Sequence, residues 1–115
     1  MSLVIDDLDG ATVERAGALV AREHAAARQM RPELPTGFED IGVCATALQR
    51  LCDSGHRGLV ATGNGRTIAV MTAIVRQHPA GGRYARLAAE GFAVDPDLAD
   101  PTGVLAVAFG DSRRR

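Results

Sequence analysis

In the first half of the chain, apolar residues recur at helical spacing after one short apolar run. The run at residues 3–5 precedes a polar turn and predicts a first strand. Asp9 follows it, where a carboxylate accepts hydrogen bonds from the first turn of a helix. Apolar positions three, four and seven residues apart then predict an amphipathic helix over residues 11–29, with the stripe Val13, Ala16, Val20 and Ala27.

A second helix is predicted from near Asp40 to residue 53. The loop before it contains Pro32 and Pro35, which stop the first helix. Ser54 and Gly55 follow the second helix as a C-terminal cap. Its apolar stripe consists of Cys44, Leu48, Leu51 and Cys52.

Apolar runs at residues 58–62 and 66–75 flank Gly63, Asn64 and Gly65. Because Gly and Asn adopt positive φ at low cost, this pattern predicts a β-hairpin around a tight three-residue turn. After a loop at residues 78–82, residues 84–94 predict a further strand. The apolar run at residues 103–109 fits a helix or a buried strand equally well.

These elements predict an α+β fold, a mainly antiparallel sheet with two N-terminal helices. A chain of 115 residues forms at most one domain. We expect that domain to span residues 1–111, followed by a disordered Arg-rich tail at residues 112–115.

Composition and charge then exclude several classes of partner. The formal net charge is −1, which gives no electrostatic footprint for nucleic acid or an anionic membrane. No stretch approaches the roughly 20 apolar residues of a membrane span, and the N-terminus lacks a signal-peptide pattern. We therefore expect a soluble, cytoplasmic protein without nucleic-acid or membrane partners.

Cysteine and histidine spacing argues against a metal site. Cys44 and Cys52 lie ~12 Å apart along one helix at the usual rise per residue, which is too far for a disulfide. We expect buried free thiols. His24 and His56 do not complete any short zinc-binding spacing with them, so no metal is predicted.

Two further segments have both a chemical and a structural interpretation. Asp53, Ser54 and His56 are the residue types of a nucleophilic triad, but neighbours in sequence do not easily adopt triad geometry. A helix cap is the expected role. The loop at residues 31–40 is acidic enough to meet an amine acceptor, or it only spaces the two helices.

The order of elements, the hairpin and the segment Val94-Asp95-Pro96-Asp97 together resemble the N-terminal half of the GNAT superfamily of N-acetyltransferases. In that family a fourth strand often ends in Val-x-Pro-Asp/Glu. The resemblance implies a partial GNAT-like fold and acetyl-CoA as cofactor. It also implies cofactor contacts at the end of this strand, at Ala93 and Val94.

The family then continues with an Arg/Gln-x-x-Gly-x-Gly/Ala turn whose amides hold the CoA pyrophosphate. Aligned from Val94, the Arg/Gln position is Ala99, and the two glycine positions are Thr102 and Val104, with Gly103 between them. β-Branched residues obstruct the close backbone approach that glycine permits. The implied cofactor contacts at Thr102, Gly103 and Val104 are therefore positional only, and we expect acetyl-CoA binding to be lost.

Glu90 lies late in the fourth predicted strand, near where many family members carry a catalytic base. It is either a general base acting through a water or an ordinary solvent-facing residue. The chain ends soon after the altered turn, as expected of a truncated or frame-shifted acetyltransferase.

Three functions stay open. The first is the N-terminal part of an acetyl-CoA-dependent N-acetyltransferase, inactive as an isolated chain. The second is a degenerate, non-catalytic lobe that forms a homodimer or binds a second GNAT lobe. The third is an unrelated small α+β binding domain.

Overall fold

The computed structural model describes residues 3–97, apart from the side chains of residues 89 and 90. The chain forms a strand, two helices with a short 3-10 helix between them, and then three strands. Their bounds are β1 Leu3–Asp7, α1 Val13–Met30, the 3-10 helix Gly37–Glu39, α2 Ile41–Asp53, β2 Arg57–Gly63, β3 Arg66–Gln77 and β4 Arg83–Val94.

The four strands form one sheet in the order β1-β2-β3-β4, and every neighbouring pair is antiparallel. The predicted hairpin is confirmed, but its turn is shorter than expected. Gly63 pairs with Arg66, so only Asn64 and Gly65 form the loop, with φ angles of 53° and 75°. Two consecutive positive φ values match the right-handed twist of the flanking strands, which explains the shorter loop.

Both helices begin close to the predicted positions. Asp9 accepts hydrogen bonds from the amides of Ala11 (2.9 Å) and Thr12 (3.2 Å) just before α1. Asp40 is the N-cap of α2 and accepts from the amide of Val43 at 3.2 Å. A side-chain cap therefore begins α2, whereas Asp9 stabilises the turn before α1, whose N-cap Thr12 makes no side-chain cap bond.

The buried face of α1 differs from the predicted stripe. Leu19 and Gly17 are buried, whereas Ala27 is exposed. The helix contacts both α2 and the sheet, so that the face it buries is broader and is rotated relative to a single stripe.

The main core lies between the two helices and one face of the sheet. It joins residues of α1 and α2 to residues of all three later strands, and it explains why both helices lie against the same face. Its buried members are Leu8, Ala16, Leu19, Leu48, Leu51, Val60, Val70 and Ala93. The α+β fold with a mainly antiparallel sheet and two N-terminal helices is thus confirmed. Within residues 3–97, no helix is long and apolar enough to cross a bilayer.

Both cysteines are free thiols, and they differ in their surroundings. Cys44 is buried and donates to the carbonyl of Phe38 at 3.2 Å, while Cys52 is partly buried. Burial, and secondarily the Asp40 carboxylate, raises the pKa of the Cys44 thiol above its ordinary value. Less of the reactive thiolate is therefore present at any pH below that raised pKa.

We expect iodoacetamide at pH 8 to alkylate Cys44 in the native chain at least about tenfold more slowly than in urea, because burial limits access and the raised pKa lowers the thiolate fraction. Peptide-resolved mass spectrometry of timed samples measures both rates. Equal rates in the native and unfolded chains would show that the thiol is accessible in solution.

Candidate functional site

The second half of β4 contains a large irregularity in the sheet, and a smaller one lies between β2 and β3 at Ala61 and Thr62. Met71 pairs with Phe92, but Ala73 pairs with Leu87. Residues 88–91 of β4 therefore lie opposite the single residue Thr72 of β3. Such bulges bend a strand and re-aim its side chains, and they are frequent beside active sites. The predicted base Glu90 lies in this bulge, and its side chain is outside the described part of the chain.

Close packing holds the bulge against the core. Gly91 approaches Thr72 and Leu51 so closely that a Cβ built on Gly91 would lie 2.0 Å from Thr72 Oγ1 and 2.8 Å from Leu51 Cδ1. Thr72 is fully buried, and its hydroxyl has no hydrogen-bond partner among the described residues. The bulge is thus tightly packed against Thr72 of β3, whose buried hydroxyl finds no partner in the described part of the chain.

Beyond the bulge, the backbone of β4 presents an amide away from the sheet. The amide of Asp95 donates to the carbonyl of Ile68 on β3 at 2.8 Å. Because successive amides of a strand point to opposite sides, the amide of Val94 points away from β3. It donates to Oε2 of Glu23, a partly buried residue of α1. A backbone donor at the free side of β4 is therefore bound to a carboxylate of the same chain.

Asp95 lies next to this contact and binds two arginines. Its side chain is 3% exposed, and its Oδ2 atom accepts a hydrogen bond from Nη2 of Arg66 at 3.0 Å and forms an ion pair with Nη2 of Arg22 at 3.2 Å. Its Oδ1 atom accepts from the amide of Asp97 at 3.0 Å. One carboxylate thus links α1, β3 and the end of β4, with the two guanidinium groups half exposed above it.

The sequence-predicted cofactor residues fall in two groups. Ala93 is 1% exposed and its side chain belongs to the main core, so only its backbone remains for a ligand. Val94 is the residue whose amide Glu23 binds. Thr102, Gly103 and Val104 lie outside the described residues.

Glu23, Arg22 and Arg66 were not among the predicted site residues. Glu23 follows Ala16 by seven positions and Leu19 by four, which places its carboxylate on the buried face of α1. A charged residue at an apolar position was the available signal. Its partner on β4 is 71 residues away in the sequence and could not be read from it.

The acidic loop at residues 31–40 is attached to α1. Arg28 donates to the carbonyl of Leu34 at 3.0 Å and pairs with Glu39 at 2.8 Å, and His24 bonds to the carbonyl of Pro35 at 2.6 Å. A surface hollow of about 280 Å³ lies beside the ion pair, lined by Ala25, Arg28, Gln29 and Glu39. The loop's carboxylate at Glu39 is neutralised by arginine, which leaves it poorly suited to an amine.

The remaining candidates have structural roles. Ser54 donates to the carbonyl of Leu51 at 2.9 Å, and Asp53 accepts from Gln49 at 2.9 Å, so the expected helix cap is confirmed. The described His, Cys, Asp and Glu side chains, which do not include that of Glu90, form no group of three that could hold a metal ion.

Solved structures show which fold this is. An acetyltransferase of the GNAT family from Staphylococcus aureus superposes with a TM-score of 0.66 at 14% identity, covering 99% of this chain and 80% of the other. An aminoglycoside acetyltransferase from an uncultured soil metagenomic sample gives 0.64 at 14% identity, over 99% and 71%. A predicted acetyltransferase from Clostridium acetobutylicum, solved with acetyl-CoA, gives 0.57 at 13% identity, over 99% and 75%.

These likenesses establish the fold. The described part of the chain shares the α+β architecture of GNAT acetyltransferases, which confirms the resemblance seen in the sequence at the level of the fold. No protein-family model and no curated protein sequence matches the chain.

Proposed function

We propose that this chain is the N-terminal part of a GNAT-like, acetyl-CoA-dependent N-acetyltransferase, and that it does not transfer acetyl groups on its own. The carrying observation is the bond between the Val94 amide and the Glu23 carboxylate. The resemblance places cofactor contacts at the end of β4, and there the backbone donor is already used within the chain. The shared fold supports GNAT ancestry over an unrelated α+β binding domain.

The sequence after β4 supports the same proposal. Pro101 offers no amide, and Thr102 and Val104 are β-branched where the family has glycine. Asp100 adds a negative charge where phosphates would bind. Each lost charge-assisted hydrogen bond is worth about 1.5–3 kcal/mol, so two or three losses abolish micromolar binding.

We expect titration calorimetry to give no Kd for acetyl-CoA tighter than about 100 μM, equivalent to about 5.5 kcal/mol of binding free energy. The C. acetobutylicum protein, which was solved with acetyl-CoA, serves as the positive control. Saturable micromolar binding that is lost on substituting Thr102 or Val104 would show that the turn functions, and the proposal would then be withdrawn.

The second candidate function is a non-catalytic lobe that pairs with another chain, either a second copy or a second GNAT lobe. Val75 and Leu87, on β3 and β4, are 61% and 42% exposed. Their strand positions place them on the same face of the sheet, because Leu87 pairs with Ala73. Exposed neighbouring apolar side chains favour association. We also propose that the protein is cytoplasmic.

We expect the purified chain to form a homodimer in sedimentation equilibrium at high concentration. The double variant Val75→Ser/Leu87→Ser is expected to be at least about tenfold weaker in self-association, because it removes apolar area from the interface. A stable 12.0 kDa monomer at all concentrations would refute the homodimer and leave only a different partner.

A further inference from the structure

Glu23 is unusual among the carboxylates of the described chain because the backbone amide it binds is 71 residues away, whereas Asp9 and Asp40 bind amides two or three residues away. Asp6, Glu39 and Asp95 each pair with arginine. For Glu23, no ion pair is found within residues 3–97, and its contact is the amide of Val94. Its second oxygen makes no hydrogen bond to the described residues.

The position of the Glu23 carboxylate is supported by Arg22, the preceding residue of α1. Arg22 binds the buried Asp95, so two consecutive residues of α1 bind two consecutive residues at the end of β4. Arg66 holds the same Asp95 from β3. Arg22 and Arg66 are thus both paired with Asp95, and the contact found for Glu23 is the Val94 amide.

The amide itself is a donor on the free side of a strand. Its residue is half-buried, and β4 has no partner strand on that side among residues 3–97. A backbone N–H in such a position binds any oxygen acceptor that reaches it, and a charged acceptor binds most strongly. A carboxylate attached to α1 competes for the amide at a high effective concentration.

We propose that Glu23 is an internal ligand of the Val94 amide and keeps this position closed to external carboxylate or acyl oxygens. The exclusion of acyl oxygens rests on the proposed function, since the shared fold suggests an acetyl thioester as the ligand that would bring such an oxygen. The closure itself is a property of this chain alone. Glu23 on α1 is therefore a second obstacle to ligand binding, in addition to the altered turn that follows β4.

The test uses the full chain and sodium acetate as the probe, with the Val94 amide followed by ¹H–¹⁵N correlation spectra. Sodium chloride at matched concentration controls for ionic strength. In Glu23→Ala we expect the Val94 amide proton to move upfield as the charged hydrogen bond is lost. Acetate should then move it back saturably, with half-saturation on the order of 10–100 mM, as for one charge-assisted bond.

In the unsubstituted chain and in Glu14→Ala, the same acetate titration is expected to leave the Val94 signal in place. Glu14 is an exposed carboxylate in the first turn of α1 and so controls for helix charge. Equal acetate shifts with and without Glu23, or no acetate shift in either, would overturn the proposal.

If Glu23→Ala does not fold, Glu23→Gln replaces it, because its neutral oxygen binds the amide more weakly at nearly the same size. For that variant too, acetate shifts equal to those of the unsubstituted chain, or no acetate shift in either protein, would overturn the proposal. The proposed function is tested separately. Micromolar acetyl-CoA binding by the unsubstituted chain would refute the non-catalytic assignment, whereas the acetate titration reports only whether Glu23 closes the amide.

Discussion

Replacing Gly91 with alanine is expected to lower the free energy of unfolding by about 3 kcal/mol or more. The backbone at Gly91 is not in the positive-φ region, so alanine is conformationally permitted. The cost is steric, because the new Cβ would lie 2.0 Å from Thr72 Oγ1 and 2.8 Å from Leu51 Cδ1. Thr72 is fully buried and cannot move away. Urea denaturation measures the change.

Two further variants test this explanation. Gly37→Ala is the matched control, because a Cβ there meets nothing within 4 Å, and we expect a change within about 0.5 kcal/mol. Gly91→Ala/Thr72→Ala removes the nearest atoms and is expected to lose less stability than the two single losses combined. If the losses simply add, the bulge does not pack Gly91 against Thr72.

Replacing Asp95 with asparagine is expected to lower the free energy of unfolding by about 2 kcal/mol. The substitution keeps the shape but turns a buried carboxylate that is paired with two guanidinium groups into a neutral amide. Its NH₂ group would face the donors of Arg22 and Arg66. The loss stays below that of a fully buried ion pair because both arginines remain half exposed and hydrated. Thermal or urea denaturation measures it.

Asp6→Asn provides the matched comparison. Asp6 pairs with Arg15 at 3.0 Å, but 48% of its side chain is exposed, against 3% for Asp95. Exposed pairs contribute about 0–1 kcal/mol, so we expect a smaller loss that high salt largely removes. Equal losses at the two positions would show that burial of Asp95 adds nothing.

Much of the fold could be predicted from local chemistry. The turn around Asn64 and Gly65, the start of the second helix near Asp40 and the cap at Ser54 each depend on residues close in sequence, and the structure has all three. The register of the hairpin was harder to predict from the sequence. The predicted loop was one residue too long, because Gly63 is a typical turn residue and nothing in the sequence indicates that it pairs with Arg66.

The candidate site could be predicted only in outline. The sequence placed Val94 at the end of the fourth strand, and its altered turn indicated weak cofactor binding. It did not identify Glu23, since the helical stripe was assigned from Val13, Ala16, Val20 and Ala27 alone. Two valines and two alanines define the direction of the buried face only loosely, and Glu23 lies beside that stripe.

The sequence by itself therefore determined the elements, their order and the α+β class, since turns, caps and periodicity act over a few residues. Only the tertiary structure decided that residues 88–91 bulge opposite Thr72, and that Glu23 and Arg22 meet Val94 and Asp95. The contacts of Glu23 and Arg22 join residues about 70 positions apart. They arise because packing of α1 against the sheet sets its position and rotation, and local sequence does not encode either.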